Sequence, residues 1–453
     1  MRDVVIVGGG IAGLAAAWRL RHRDVVLLES EARVGGRIRS ERRGPYWLNW
    51  GGHVYAGGDS ATARLLADTG VDAVPVPGSL AGLAMNGRLL LRGRVETYPF
   101  RIPMPWSSRV ALLTAGAKVS FAVARYARIA RRRPGEDEAT RQRRIYAFMN
   151  DRSFADLIGD LPPDAEALFT PTVTRSSADI DQISAGAGVG YFSLVWNIGG
   201  GLSQSIVGGP STLTEAIASA LGEKVRLNAT AHEVVRRDVS VEVRYRQDGA
   251  DRTEQARCVV LATPATVSHR IAVDLDADVR DALSRIVYGP YVSGAFLTDE
   301  TQPQVWDGAY AIATPKRSFS VVLNLSNVVR GSETGRQPGS SLMVFSPARL
   351  ARRLLEQDDD VILTTCLADL DQVLPGVAGT VVEAQVHRWP TGAPYCFPGR
   401  GRLQSALTRR SGPVVLAGDY LGTFYTETAI STGMSAAREV ESLLGTRSTE
   451  RSP

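Results

Sequence analysis

A glycine-rich turn near the start of the chain constrains the fold more than any other feature. Residues 3–20, DVVIVGGGIAGLAAAWRL, place an apolar run before Gly8, Gly10 and Gly13 and an alanine-rich run after them. This order predicts a buried β-strand, a tight turn and a helix. In a G-x-G-x-x-G pattern the first glycine makes the turn, the second admits a pyrophosphate, and the third lets helix and strand pack closely. By itself the pattern is also compatible with a plain glycine turn.

A second apolar strand supplies the acidic residue that completes this motif. Residues 24–30, DVVLLES, end in Glu29, about 20 residues beyond the first glycine, where a carboxylate accepts hydrogen bonds from ribose hydroxyls. The N-terminus of the intervening helix favours phosphate groups through its free N–H groups and its dipole. The two strands and the helix together predict a site for an ADP-containing dinucleotide.

The segment after Glu29 favours FAD among the dinucleotides. A second glycine turn, Gly35–Gly36, precedes Arg37, which can reach a phosphate, whereas a nicotinamide-binding unit would enter its next helix directly. The G-x-G-x-x-G turn, Glu29 and RVGGRIRS (33–40) resemble the flavoprotein superfamily of flavin amine oxidases, protoporphyrinogen oxidases and carotenoid desaturases.

This resemblance implies an α/β fold with a Rossmann-like FAD-binding domain of the GR2 type and an inserted, mixed α+β substrate-binding domain. The predicted FAD-binding domain is discontinuous and comprises residues 1–60, 205–270 and 406–445. The predicted substrate-binding domain comprises residues 61–204 and 271–405, and residues 446–453 are predicted to be a disordered tail.

The resemblance also assigns residues around the cofactor. Glycines are expected where backbone approaches the flavin, Val234 where backbone meets the adenine, and Asp419 at the ribityl or phosphate part of FAD. A helix beginning at Glu427 is expected to direct its first N–H groups at the N1–C2=O edge of the flavin, where negative charge gathers on reduction. The complete predicted cofactor set is Gly8, Gly10, Gly13, Glu29, Gly35, Gly36, Arg37, Gly51, Gly52, Val234, Gly418, Asp419, Glu427, Thr428 and Ala429.

Four residues are expected on the substrate side of the flavin: Tyr425, Tyr395, Trp389 and His53. The two tyrosines match aromatics that flank an amine in amine oxidases, where π faces attract nitrogen. For His53 a structural, hydrogen-bonded histidine is an equal alternative. Cys396 matches a cysteine that tethers the flavin in some relatives, but the shortened loop around it argues against a covalent bond.

The expected function is FAD-dependent removal of hydride from a substrate carbon, with electrons passed to oxygen or another acceptor such as a quinone. Both C–N dehydrogenation and C–C desaturation remain open. Amine oxidases commonly carry a lysine on the strand that here reads YGPYVSGAFL (288–297), which has none. The short loop RWPTGAPYCFPG (388–399) and a strand at TYPF (97–100) favour desaturation. The alternatives are a flavin-dependent isomerase of the UDP-galactopyranose mutase type and a GDP-dissociation-inhibitor-like binding protein without enzymatic activity.

Composition bears mainly on partners and location. A net charge of +5 without a compact basic and aromatic motif argues against nucleic acid as a partner. The three cysteines are widely spaced, which predicts neither a metal site nor a disulfide framework and favours the cytoplasm. Residues 107–133 predict a long basic helix with an apolar stripe. This helix is either an ordinary part of the substrate-binding domain or a peripheral membrane contact.

Overall fold

In the part of the chain that the structure describes, two seven-stranded sheets form the framework. The structure is a computed structural model, and it describes residues 1–93, 95–196, 202–330, 337–410, 412–423 and 425–449. In chain order the strands are β1 (Arg2–Val7), β2 (Val25–Leu28), β3 (Ser40–Arg43), β4 (Tyr46–Asn49), β5 (Tyr55–Ala56), β6 (Ala73–Pro75), β7 (Gly82–Met85), β8 (Arg88–Leu90), β9 (Leu202–Ile206), β10 (Val225–Arg226), β11 (Ala229–Arg236), β12 (Val241–Gln247), β13 (Ala250–Leu261), β14 (Tyr288–Thr298), β15 (Ala311–Ala313), β16 (Val321–Asn324), β17 (Ser340–Pro347), β18 (Val381–Pro394) and β19 (Val414–Leu416). The helices are α1 (Ile11–Arg19), α2 (Ala61–Thr69), α3 (Tyr98–Arg101), α4 (Trp106–Ala130), α5 (Glu138–Ala147), α6 (Phe154–Ile158), α7 (Pro163–Val173), α8 (Ala185–Val195), α9 (Ser211–Leu221), α10 (Ala265–Ile271), α11 (Ala277–Ser284), α12 (Asn327–Arg330), α13 (Ala348–Leu354), α14 (Asp359–Val373), α15 (Gln404–Leu407) and α16 (Tyr425–Thr449).

The first sheet has the order β10-β2-β1-β13-β12-β11, with β19 also paired to β13. Strands β10, β2, β1, β13 and β19 run parallel, while β11, β12 and β13 form an antiparallel meander. Helices α1, α9 and α16 pack on one face, and α10, α11 and α15 pack on the other. Because both faces are covered, the central strands are continuously apolar, as in VVIV and VVLL. The carboxyl ends of β1, β2, β13 and β19 therefore meet at one edge.

The second sheet has the order β18-β14-β17-β16-β15-β7-β8. The long strands β14 and β18 pair antiparallel. Helices α13 and α14 cover one face, and the hairpin β3–β4 packs on the sheet through Trp47 and Leu48. Helices α4 to α8 form a separate apolar cluster, which Tyr395 and Tyr425 border.

Three features differ from the elements that the sequence predicts. Helix α11 packs on the first sheet, so the segment associated with that sheet extends beyond the predicted boundary at residue 270. The predicted strand at 97–100 is helix α3, because Pro99 lies in its first turn, where proline favours a helix start. Helix α16 continues to Thr449, so residues 446–449 are helical rather than a disordered tail. Residues 450–453 lie outside the described residues.

Within the described residues, α4 is the helix that is long and apolar enough to cross a membrane by length and composition. Only 33% of its most apolar window is buried inside the protein. Its buried side includes Leu112, Val119 and Val123, which pack against the cluster formed by α5 to α8.

Candidate active site

In the first glycine turn, two positions leave no space for a side chain, and a third has free space around it. Gly8 has a φ of +108°, and a Cβ on it would lie 2.8 Å from the carbonyl oxygen of Ala262. A Cβ on Gly13 would lie 1.9 Å from the carbonyl oxygen of Gly8. By contrast, a Cβ on Gly10 would meet nothing within 4 Å. Gly10 is the N-cap of α1, and no side chain caps this end of the helix. The open space at Gly10 therefore lies at a helix N-terminus, where free N–H groups favour phosphate.

The carboxylate of Glu29 faces this turn from the end of β2. It accepts hydrogen bonds from the backbone N–H of Gly9 at 2.6 Å and of Glu31 at 2.8 Å. The carbonyl of Glu29 accepts from the N–H of Ala229, which places the start of β11 beside it. Val234 lies further along β11, the last strand of its sheet, with its side chain buried. The expected contact between its backbone and adenine stays a prediction.

The second glycine turn lies directly against the first. The N–H of Gly35 donates to the carbonyl of Gly9 at 2.9 Å, and a Cβ on Gly36 would lie 3.4 Å from the Cα of Gly10. Both Gly35 and Gly36 have positive φ, at +104° and +54°. The two turns thus share the open space at Gly10.

Arg37 joins the second turn to the C-terminal part of the chain. Its Nη2 donates to Asp419 Oδ1 at 3.0 Å, and its Nη1 lies 2.9 Å from Asp419 Oδ2. Nη1 also donates to the carbonyl of Gly392 at 3.0 Å. Burial alone would lower the pKa of Arg37, but the charge and the hydrogen bond of Asp419, together with Tyr288 and Tyr291, raise the pKa overall. Arg37 is therefore a fixed cation beside the glycine turns.

The segment that contains Gly51, Gly52 and His53 runs next to Arg37. A Cβ on Gly51 would lie 2.1 Å from the carbonyl oxygen of Arg37, and a Cβ on Gly52 would lie 3.6 Å from Thr426 Oγ1. His53 Nδ1 lies 3.1 Å from the carbonyl oxygen of Gly51. Because a carbonyl only accepts, Nδ1 carries the proton. Burial lowers the pKa of His53 to about 4, which keeps the imidazole neutral.

The C-terminal part of the site begins at Gly418, which follows β19. The N–H of Gly418 donates to Thr432 Oγ1 at 3.0 Å. Helix α16 begins at Tyr425, two residues before the predicted start. Thr428 and Ala429 are buried in its first turns. A Cβ on Gly433 would lie 2.1 Å from the carbonyl oxygen of Ala12, which shows how closely α16 packs on α1.

The side chain of Glu427 contacts helix α2. Its carboxylate accepts hydrogen bonds from the N–H of Ala61 at 2.8 Å, the N–H of Thr62 at 3.0 Å and the hydroxyl of Thr62 at 2.6 Å. These donors belong to the first turn of α2. The side chain of Glu427 therefore caps a neighbouring helix. The expected contact between the first N–H groups of α16 and the flavin stays a prediction.

Tyr395 and Tyr425 line one pocket, here called the tyrosine pocket, together with Tyr126, Tyr191, Cys396 and Asp419. The hydroxyl of Tyr425 hydrogen-bonds to that of Tyr191 and donates to the carbonyl of Arg175 at 2.9 Å. Burial raises the pKa of Tyr425, so its hydroxyl stays neutral. Tyr395 lies in the electrostatic range of Arg352 and Asp179.

Trp389 is not among the residues that line the tyrosine pocket. Its expected place on the substrate side of the flavin stays a prediction. Its indole N–H donates to the carbonyl of Trp50 at 2.9 Å, and its ring lies 4.0 Å from that of His387. Strand β18 places Trp389 opposite Tyr291 and presents its side chain to the hairpin segment around Trp50. His53 also lies outside the pocket lining, with its ring 6.4 Å from that of Tyr310.

Arg175 is the site residue that sequence reasoning missed. It follows α7, its carbonyl accepts from the hydroxyls of Tyr425 and Tyr291, and its guanidinium interacts electrostatically with Tyr191, Tyr310 and Tyr425. The available signal was a lone arginine in the otherwise uncharged run LFTPTVTRSSA (168–178).

The lysines lie elsewhere in the described chain. Lys316 forms an ion pair with Asp164, Lys224 donates to backbone carbonyls of Arg21 and Arg23, and Lys118 is exposed on α4.

The donor set and the free space fit FAD. The open position at Gly10 accommodates a pyrophosphate, and Glu29 is placed for ribose hydroxyls. Asp419, a predicted cofactor residue, pairs with Arg37 and also lines the tyrosine pocket. The predicted cofactor site and the tyrosine pocket are therefore adjacent.

One family model and several known proteins match this chain. The family model for flavin containing amine oxidoreductases matches residues 11–441. AofH of Mycobacterium tuberculosis is 26% identical over 293 residues, which cover 60% of this chain and 59% of AofH. Bovine flavin-containing amine oxidase A is 24% identical over 489 residues, covering 98% of this chain and 86% of the relative. Coproporphyrinogen III oxidase of Mycobacterium bovis is 25% identical over 469 residues, covering 93% of each chain.

Solved structures confirm the predicted α/β fold. Putrescine oxidase bound to putrescine superposes with a TM-score of 0.76 at 20% identity, covering 97% of this chain and 99% of the other. Cyclohexylamine oxidase from Brevibacterium oxydans superposes with a TM-score of 0.76 at 18% identity, covering 98% and 99%. At these identities the likeness concerns the fold alone.

Proposed function

The chain belongs to the flavin-containing amine oxidoreductase family, with FAD as its cofactor, and from this premise we propose that it removes a hydride from a carbon of a small molecule bound in the tyrosine pocket. The observation that carries the proposal is the position of Asp419. This residue lines the pocket and also forms the ion pair with Arg37 beside the glycine turns. A substrate in the pocket would therefore lie next to the cofactor site.

FAD supplies the hydride acceptor, and the protein supplies position and environment. Tyr425 and Tyr191 present aromatic surface to the substrate, and burial keeps both hydroxyls neutral by raising their pKa. The hydrogen bond from Tyr425 to the carbonyl of Arg175 fixes the ring. Holding the reacting carbon in a fixed orientation lowers the entropic part of the barrier.

Both C–N and C–C dehydrogenation fit this arrangement. The aromatic lining and the family favour an amine. Two observations favour the desaturation of a C–C bond: the lysines all lie away from the site, and the cation of Arg175 would repel a protonated amine. The isomerase alternative would leave the flavin in the same oxidation state after each turnover, and a binding protein without enzymatic activity would have no use for the intact glycine turns.

Anaerobic mixing of the FAD-loaded protein with a panel of amines, porphyrinogens and polyenes tests the proposal. Bleaching of the oxidised flavin absorption identifies the substrate class, and readmission of air tests oxygen as the electron acceptor. A yellow protein whose flavin no member of the panel reduces, but which converts a sugar nucleotide after chemical reduction, would replace the proposal with the isomerase.

A further inference from the structure

Arg175 is a partly buried cation for which the described chain supplies no counter-ion. Its guanidinium makes no hydrogen bond or ion pair with any residue that the structure describes. Two other arginines that are shielded from solvent are paired with carboxylates: Arg37 with Asp419, and Arg330 with Glu300 and Asp307. An unpaired buried charge is unfavourable unless a ligand neutralises it.

The groups that face Arg175 are uncharged. They are Tyr191, Tyr310 and Tyr425, together with His53, whose pKa is lowered by burial and by the charge of Arg175. Two carboxylates that belong to neighbouring segments are paired with other arginines in the described structure. Asp179 binds Arg349 and Arg352, and Asp419 binds Arg37. The positive charge therefore remains available to a ligand.

The backbone of Arg175 is held in place beside the tyrosine pocket. Its carbonyl accepts from Tyr425 at 2.9 Å and from Tyr291 at 2.6 Å. Tyr425 and Tyr191, which the guanidinium faces, both line the pocket. His53, on another side, follows Gly52, which approaches the first turn of α16. Arg175 thus lies between the tyrosine pocket and His53.

We infer that Arg175 determines substrate specificity by binding a carboxylate of a substrate that extends from the tyrosine pocket toward Tyr310 and His53. This inference rests on the proposed function, because it names the chemical class of that substrate. A guanidinium binds a carboxylate through two parallel hydrogen bonds, which orient the bound molecule as well as attract it. Substrates with a carboxylate near the oxidised carbon are selected over simple cationic amines.

Benzoate is a suitable probe because it combines a carboxylate with an aromatic ring and needs no turnover. The FAD-loaded protein is titrated with benzoate, and with uncharged benzyl alcohol, while the flavin absorption spectrum is recorded. We expect saturable perturbation by benzoate and at least about tenfold weaker affinity in Arg175→Gln, equivalent to about 1.4 kcal/mol. Arg175→Lys retains part of the affinity. The control Arg246→Gln removes an exposed arginine of the first sheet and leaves affinity unchanged.

Equal benzoate affinity in wild type and Arg175→Gln, or no perturbation at any soluble concentration, overturns the inference. A changed resting flavin spectrum in both Arg175 variants would place the guanidinium against the cofactor and overturns it as well. The proposed function is judged separately by flavin bleaching. If no substrate bleaches the flavin but benzoate binding still depends on Arg175, the function fails and the carboxylate site stands.

A second, independent observation concerns the outward face of α4. Trp106 and Phe121 are each 68% exposed, and Val110 and Leu113 lie between them on the same side of the helix. No acidic residue occurs in this 25-residue helix, whereas Lys118, Arg125 and Arg128 are exposed on it. The opposite face is buried against α5 to α8 along its length. The helix therefore presents one apolar, cationic face and cannot be surrounded by lipid.

We propose that the outward face of α4 docks on the surface of an anionic lipid bilayer. Its apolar stripe matches the depth of the interface, and the cations beside it match anionic headgroups. This orientation holds α4 parallel to the membrane plane, with its buried face on the protein.

Co-sedimentation with vesicles tests this docking. The FAD-loaded protein is mixed with vesicles of phosphatidylcholine alone or with added phosphatidylglycerol. We expect binding to the anionic vesicles and a several-fold smaller bound fraction for the double variant Trp106→Ser and Phe121→Ser. The control Val305→Ser and Val382→Ser removes apolar side chains of similar exposure elsewhere. Equal binding by both double variants, absence of binding, or dimerisation through these residues on gel filtration contradicts the proposal.

Discussion

Arg37 and Asp419 lie 382 residues apart in the chain and form a two-point ion pair, with nitrogen–oxygen distances of 3.0 and 2.9 Å. The pair ties the second glycine turn to the segment before α16. This ion pair adds an electrostatic contact to the packing of α16 on α1, and the predictions begin with it.

Replacing Asp419 by asparagine leaves Arg37 without its counter-ion. We expect a loss of about 2 to 4 kcal/mol in the free energy of unfolding, because breaking a largely buried pair strands a charge. FAD retention should fall as well. Chemical denaturation and the flavin absorbance per protein measure the two effects. The control Asp151→Asn breaks the exposed pair with Arg402 and should change stability by less than about 1 kcal/mol. An Asp419→Asn protein that is as stable and as yellow as wild type would contradict this role.

Gly10→Ala and Gly13→Ala separate cofactor binding from folding. A methyl group at Gly13 would overlap the carbonyl of Gly8, so Gly13→Ala should disrupt the fold at the turn. A methyl group at Gly10 meets no protein atom and should leave the circular dichroism spectrum unchanged. It occupies the space expected for the pyrophosphate, so FAD affinity should fall at least about tenfold. Gly116→Ala, in open space on α4, is the control. Normal FAD affinity in Gly10→Ala would move the phosphate site elsewhere.

Glu427→Gln tests whether this residue caps α2 or contacts the cofactor. The capping interaction predicts a loss of about 0.5 to 2 kcal/mol in unfolding free energy, as for other helix caps, with an unchanged flavin spectrum. Ser60→Ala removes the N-cap side chain of the same helix and should have an effect of similar size. A shifted flavin spectrum with unchanged stability would show that the carboxylate of Glu427 contacts the cofactor instead of capping α2.

His53 should make stability depend on pH. Its folded pKa of about 4 lies below the ordinary value of 6.5, mainly because burial disfavours the charged ring. The unfolded chain therefore binds a proton first as pH falls, and the folded state loses up to roughly 3 kcal/mol between pH 7 and 4. Denaturation curves at pH 7, 5.5 and 4.5 should show a smaller loss in His53→Gln than in wild type. His232→Gln, at an exposed histidine, should keep the wild-type slope. Identical slopes for all three proteins would show that His53 is not shielded.

Tyr425→Ala should slow anaerobic flavin reduction by substrate at least about tenfold, because it removes the ring that positions the reacting carbon. FAD should stay bound. Tyr425→Phe keeps the ring and loses only the hydrogen bonds to Arg175 and Tyr191, so its rate should stay closer to wild type. Stopped-flow absorbance measures each rate. Unchanged reduction in Tyr425→Ala would remove this residue from the substrate site.

The features that the sequence predicts most fully are those that neighbouring residues dictate. The turn at Gly8–Gly13 is fixed by positive φ at Gly8 and by the contact of Gly13 with the carbonyl of Gly8, both within one strand–turn–helix unit. Glu29 reaches the same turn because β1 and β2 are adjacent parallel strands of known spacing. The fold class, the cofactor and the family follow from these local constraints.

Only the tertiary structure decided how side chains far apart in the chain are paired. The carboxylate of Glu427 accepts hydrogen bonds from the first turn of α2, Trp389 packs on Trp50, and Asp419 binds Arg37. These side-chain pairings cannot be predicted from a short motif, because each depends on where separate elements meet once both sheets have packed. Arg175 illustrates the limit: its sequence context is ordinary, and only its position among uncharged side chains beside the tyrosine pocket makes its charge significant.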